Sequence, residues 1–200
     1  MAACIKISGG FDYEMTHLQL QKCGIPLYVT GGGSIRALGG YFDTSQFDAV
    51  RLDGSVNPIV RVSLLGNWAS SSATGDGIRI LGKVTELEVA DLECYANAAN
   101  CIDAVAANNV DGLLVHGLKA AGNAGCAITM AAGLSGFTIA DVVAAPQGEW
   151  GANGCGINIP AGTSNNYMIV GSRLQGSGTA NLSDGGTGAN KLVGNNLVGP

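Results

Sequence analysis

The sequence predicts an all-β chain: a right-handed, single-stranded parallel β-helix of about seven coils, with a period of about 26 residues, forming one domain over residues 1–200. Three observations carry this prediction. An apolar-x-apolar unit recurs along the chain, and a second apolar unit follows it at a steady distance in the last six coils. Within the units, apolar and polar residues alternate with period two, as in Gly77-Ile78-Arg79-Ile80 and Gly156-Ile157-Asn158-Ile159, which is the signature of a strand with one buried face.

The first unit reads GIPLYV (24–29), AVRLDG (49–54), GIRILG (77–82), CIDAVA (101–106), CAITMA (126–131), CGINIP (155–160) and, more weakly, ANLSDG (180–185). With Ile25, Val50, Ile78, Ile102, Ile128, Ile157 and Leu182 taken as equivalent, the spacings are 25, 28, 24, 26, 29 and 25. The second unit reads VSLLGNW (62–68), LEVADLEC (87–94), LLVHGL (113–118), FTIADVV (137–143), YMIVGSRL (167–174) and KLVGNNL (191–197). In each, an apolar residue stands two positions before Gly66, Asp91, Gly117, Asp141, Gly171 or Gly194, a repeating corner. Apolar residues at helical spacing do not persist through any coil, and glycines that would each cost a helix about 1 kcal/mol interrupt the longer stretches. The leucine-rich repeat pattern, which shares the period, is absent.

Composition agrees. Glycine supplies 32 residues, while only 12% of residues are charged and 6% aromatic, as expected of frequent tight turns around an interior of small and branched apolar side chains. Glycine does not fall at every third position, which excludes collagen, and 46% apolar residues spread along the chain exclude disorder. The net charge is −5 and the ten basic residues are scattered, so no nucleic-acid partner is expected. No apolar run approaches the ~18 residues of a membrane span, and no membrane insertion is expected. The N-terminal Met-Ala-Ala-Cys-Ile-Lys lacks the apolar stretch of a secretory signal, so synthesis in a host cytoplasm is the expectation. From Val142 to Pro200 only Glu149, Arg173, Asp184 and Lys191 are charged. So low a charge density predicts surface buried against copies of the same chain. Six cysteines without a CxxC pair predict neither zinc nor any other metal, and no cofactor motif is present. Buried thiols are the simplest reading, although Cys126 and Cys155 align on adjacent coils at a separation a disulfide can span.

Stacking makes Ile78, Ile102, Ile128 and Ile157 an interior column and turns Arg51, Arg79, Asp103, Thr129, Asn158 and Ser183 outward on one line. Arg79 and Asp103 would form an exposed ion pair or part of a polar strip for sugar hydroxyls. Asp53, Asp76 and Asp103 are the acids nearest to equivalent places on successive coils, yet Asp76 in Thr-Gly-Asp-Gly reads as a turn residue. Trp68 and Trp150 are the two tryptophans and fall in turn-rich segments, where each could stack on a sugar or anchor a subunit contact. Tyr95 is a weaker instance of the same choice. His17 and His116 lack partners at metal-ligand spacing.

Three segments carry a resemblance. NNYMIVGSRLQGSGTANLSDGGTGANKLVGNNL (165–197), NWASSSATGDGIRI (67–80) and MTHLQLQKCGIPLYV (15–29) resemble coils of the pectate-lyase-like β-helices in bacteriophage tail spikes and tail fibres. The resemblance implies a homotrimer on a virion surface, contacts with other virion proteins, and bacterial surface polysaccharide as the ligand. It departs from the catalytic branches: RxPxxR is missing, as are the NTD, DD, GHG and RIK elements. The expectation is therefore a spike or fibre subunit whose β-helix face binds polysaccharide through Trp68, Arg79, Tyr95, Asp103 and Trp150, without catalytic residues. The alternatives are a polysaccharide lyase or hydrolase with a site on the helix or between subunits, and a purely structural spike or decoration protein.

Overall fold

The computed structural model describes residues 2–105 and 110–199; Ala106, the last residue of the fourth recurring unit, lies outside them. The chain winds as a right-handed parallel β-helix with three faces per coil. The first and second faces belong to one 15-stranded sheet, and the third is a separate sheet of eight short parallel strands. That third sheet runs through Gln19–Gln21, Tyr41–Asp43, Trp68–Ser70, Glu93–Tyr95, Lys119–Ala121, Val143–Ala144, Arg173–Leu174 and Leu197–Val198, so the described chain makes eight coils.

The additional coil is the first. Ala3–Ile7 pairs in parallel with Ile25–Val29, Ile5 lying beside Leu27. The interior column accordingly runs Ile5, Leu27, Val50, Ile78, Ile102, Ile128, Ile157 and Leu182. Leu27, not Ile25, occupies the equivalent place, because Ile25-Pro26-Leu27 offers two inward apolar residues and the period alone does not choose between them. From Leu27 to Ile157 every column member is essentially inaccessible to water, which is worth roughly 1.5–3 kcal/mol per side chain. Phe137 and Tyr167 stack in parallel at 4.7 Å and are buried in the interior of the C-terminal coils.

Between the second and third faces each coil turns through one residue with positive φ. The corner column is His17, Gly39, Gly66, Asp91, Gly117, Asp141, Gly171 and Asn195, with φ between 50° and 67°. Glycine, asparagine and aspartate tolerate this left-handed conformation best, which explains the Gly/Asp alternation in the sequence. In the last coil Asn195 takes the corner in place of the expected Gly194. The carboxylate of Asp91 lies against Gly117 on the next coil, and that of Asp141 against Gly171, each where a Cβ would otherwise stand.

Where the third face turns back to the first, buried amides form a ladder. Asn97 Nδ2 donates to Asn123 Oδ1 at 2.8 Å, and Asn123 Nδ2 to Asn153 Oδ1 at 2.8 Å. The same oxygens accept the backbone N–H groups of Asn97 and Asn123, so a buried polar turn is satisfied from coil to coil.

The cysteines depart from the thiol expectation. All six are paired, as Cys4–Cys23, Cys94–Cys101 and Cys126–Cys155. The last joins adjacent coils in register, with Cα atoms 4.2 Å apart. Parallel stacking without slip is what brings two cysteines 29 residues apart into bonding distance.

Candidate functional site

The five residues singled out from the sequence divide between two faces. Arg79 and Asp103 stand on the first face, and Trp68, Tyr95 and Trp150 gather on the third.

On the first face the outward line is Lys6, Tyr28, Arg51, Arg79, Asp103, Thr129, Asn158 and Ser183. Arg79 does not pair with Asp103. Its guanidinium approaches Asp76 at 3.7 Å, and Arg51 approaches Asp48 at 2.5 Å. Both acids sit two residues before the interior column and are fully buried, so each arginine reaches back to the turn before its own strand instead of across to the next coil. Asp76 Oδ1 also accepts from the backbone and side chain of Asn100, at 2.8 and 3.1 Å. Asp76 thus serves its turn, as Thr-Gly-Asp-Gly suggested. Tyr28 donates to Asp53 at 3.3 Å.

Asp103 is left without an ion pair or hydrogen bond among the described residues. Burial pushes its carboxyl up to about 6, the charge of Asp76 adds to the shift, Arg79 opposes it, and Asp48 adds a little more. The folded value lies above the unfolded one, so the folded state holds the proton more tightly between about pH 4 and 6. Stability therefore falls as pH rises through that window, and the penalty is complete above it. Because the group is partly solvated, the penalty is about 1 kcal/mol. Asp103→Asn is expected to raise the melting temperature at pH 8 and to leave it unchanged at pH 3.5; an equal shift at both would exclude this origin.

On the third face the outward line begins Gln19, Tyr41, Trp68, Glu93 and Lys119. Trp68 is the first residue of the strand Trp68–Ser70, so it is held by a sheet and not in a loop. Its indole N–H donates to Ser70 Oγ at 2.5 Å, and Ser70 donates on to Asp43 at 2.5 Å. Tyr41 stacks on Trp68 with ring centroids 5.6 Å apart, and Trp68 meets Tyr95 edge-on at 4.9 Å. Tyr95 is in turn covered by Trp150, nearly parallel at 5.7 Å. Trp150 arrives from a turn in which it exchanges two backbone hydrogen bonds with Gln147. Gln147 accepts the Tyr95 hydroxyl at 3.4 Å. Tyr95 is consequently only 5% exposed, and burial followed by the charge of Glu93 pushes its phenol above the ordinary range.

Two of the four rings, Tyr41 and Trp68, line an open cavity of about 560 Å³ together with Asp91, Glu93 and Lys119. Lys119 pairs with Glu93 at 3.1 Å. Sequence reading missed Tyr41, Glu93 and Lys119. A signal for Tyr41 existed: it precedes Trp68 by one coil period, which stacks equivalent outward residues. Among the described residues, no group of three His, Cys, Asp or Glu side chains could hold a metal ion, and no helix is long and apolar enough to cross a membrane. His116 pairs with Glu88 at 3.3 Å.

No protein-family profile matches the chain, and no curated protein matches it in sequence. Among solved structures, the chain is similar to a periplasmic alginate epimerase, determined as a point mutant, with a TM-score of 0.66 at 12% identity. The likeness covers 96% of this chain and 54% of the epimerase, so the chain spans about half of that protein's length. At this identity the likeness bears on the fold alone, the parallel β-helix described above.

Proposed function

We propose that this chain is a subunit of a phage-like spike or fibre that binds host surface polysaccharide on the third face of its β-helix. The observation that carries the reading is the cluster Tyr41–Trp68–Tyr95–Trp150, of which Tyr41 and Trp68 line an open, polar-rimmed cavity. Flat apolar rings with a few fixed polar groups at the rim are what recognition of a sugar chain needs. The similarity to an epimerase named for alginate supports a polysaccharide ligand, and the resemblance of the coils to tail-spike sequences supports the virion surface. Three disulfides suit an oxidising environment outside the cytoplasm. The sparse charge after Val142, with Met168 and Leu192 exposed side by side on the second face, supports a homotrimer packed along the helix axes, joined to other virion proteins.

Trp68→Ala and Trp150→Ala test the site. Each is expected to weaken binding to host surface glycan by tenfold or more on a glycan array, while light scattering still reports a trimer. Loss of the trimer with unchanged glycan binding per intact trimer would make the tryptophans assembly anchors instead, and a stable monomer at micromolar concentration would remove the trimer.

A second reading has one observation in its favour. Asp103, raised to about 6 and one coil from Arg79 on the first face, has the proton affinity of a general acid or base, as a lyase or hydrolase would require. Incubation with polysaccharide and detection of reducing ends or unsaturated sugars separates this reading from simple binding. A protein that neither binds nor cleaves glycan would be purely structural.

A further inference from the structure

The third-face cavity has a floor as well as a rim. At the corner between the second and third faces, two successive coils carry glycine, Gly39 and Gly66, while the coil below carries His17 and the coil above Asp91. A Cβ on Gly66 would meet nothing within 4 Å, whereas one on Gly39 would meet the His17 ring at 3.2 Å, so the missing side chain leaves a short trench at Gly66, and the His17 ring fills the corresponding place at Gly39. Its floor is fixed from beneath. Buried Asn67 accepts the Gly40 N–H at 2.7 Å and donates to the Ala37 carbonyl at 2.9 Å. One wall is the stacked pair Tyr41 and Trp68. The upper end is acidic: Asp91 has no ion pair among the described residues, and Glu93 shares Lys119.

Taking the third face as the glycan-binding surface, we propose that this trench receives uncharged pyranose units and excludes polyuronates. The rings offer an apolar wall for the hydrogen-bearing face of a sugar. The Asp91 and Glu93 carboxylates accept hydrogen bonds from hydroxyls, and charge-assisted bonds of this kind are the stronger ones. A sugar carboxylate at the same place would meet Asp91 and Glu93 with one lysine between them, and like charges juxtaposed in an interface discriminate against the wrong ligand.

The test is calorimetric titration of the full chain with neutral oligosaccharides (gluco-, manno- and galacto-series) and with oligo-uronates, at low ionic strength. A neutral series is expected to bind at least tenfold tighter than any uronate. Gly66→Asn should weaken that binding tenfold or more at an unchanged melting temperature, since asparagine accepts the left-handed corner and its side chain enters empty space. Should Gly66→Asn fail to fold, Glu93→Gln carries the test and should narrow the preference for neutral sugars several-fold. Neutral binding that survives these substitutions overturns the proposal. Binding of uronates in preference, lost in Trp68→Ala, overturns it while leaving the third face as the glycan surface. Binding of no sugar at all overturns both.

Discussion

An Ile128→Asp chain is expected to show no cooperative thermal transition. Ile128 is fully buried between Ile102 and Ile157 in the middle of the interior column. A carboxylate there has no partner within the core, and burying an unpaired charge costs several kcal/mol even after relaxation. The lost apolar packing adds to this, against a total stability of about 5–15 kcal/mol for a domain. The adjacent outward position calibrates the result. Thr129 faces away from the core but lies beside Asp103 on the neighbouring coil, and its hydroxyl donates to Asn100 at 3.2 Å. Thr129→Asp therefore costs about 1 kcal/mol through a like-charge neighbour and a lost donor, more than its outward position alone would predict. Circular-dichroism melts of the two variants check the register directly: equal behaviour would mean that the inward and outward residues have been exchanged.

Removing the bridge between Cys126 and Cys155 is expected to produce the next largest effect. Closing a loop of 29 residues restricts the unfolded chain by about 3–4 kcal/mol. For a chain of this size, that corresponds to a fall of roughly 10 °C in melting temperature. The Cys126→Ala/Cys155→Ala double variant should show this fall without reductant. Reductant should bring the wild type down at least as far, because the Cys4–Cys23 and Cys94–Cys101 bridges open as well. Cys94–Cys101 closes only seven residues and contributes less. A wild-type melt indifferent to reductant would show that the side chains remain thiols.

The period and the alternation were readable from the sequence because a solenoid repeats its environment: each coil confronts the next with the same inward and outward positions. Leu27 and Asn195 mark where such reading slips. At Leu27 two apolar residues compete for one inward place. At Asn195 the left-handed conformation is open to asparagine as well as to the glycine beside it. The site was legible in part. Trp68, Tyr95 and Trp150 do converge, but the turn that carries Trp150 over Tyr95 is fixed by two backbone hydrogen bonds with Gln147, which no residue pattern announces. Arg79 and Asp103 were placed correctly on adjacent coils, yet that they do not pair was not foreseeable. It depended on whether Asp76, buried in the turn just before Arg79's strand, would claim the guanidinium first.

The corner where Asp91 lies against Gly117 and Asp141 against Gly171 also governs how such a chain can change length. Excising the single coil 92–117 would set Asp91 directly beneath Asp141, with a side chain in the space its carboxylate now fills and a second negative charge close by. Excising 92–141 would instead leave Asp91 beneath Gly171, a contact of the kind already present. At this corner the unit that can be gained or lost without a clash is thus a pair of coils, twice the structural period, although this particular pair also takes Cys126 away from Cys155.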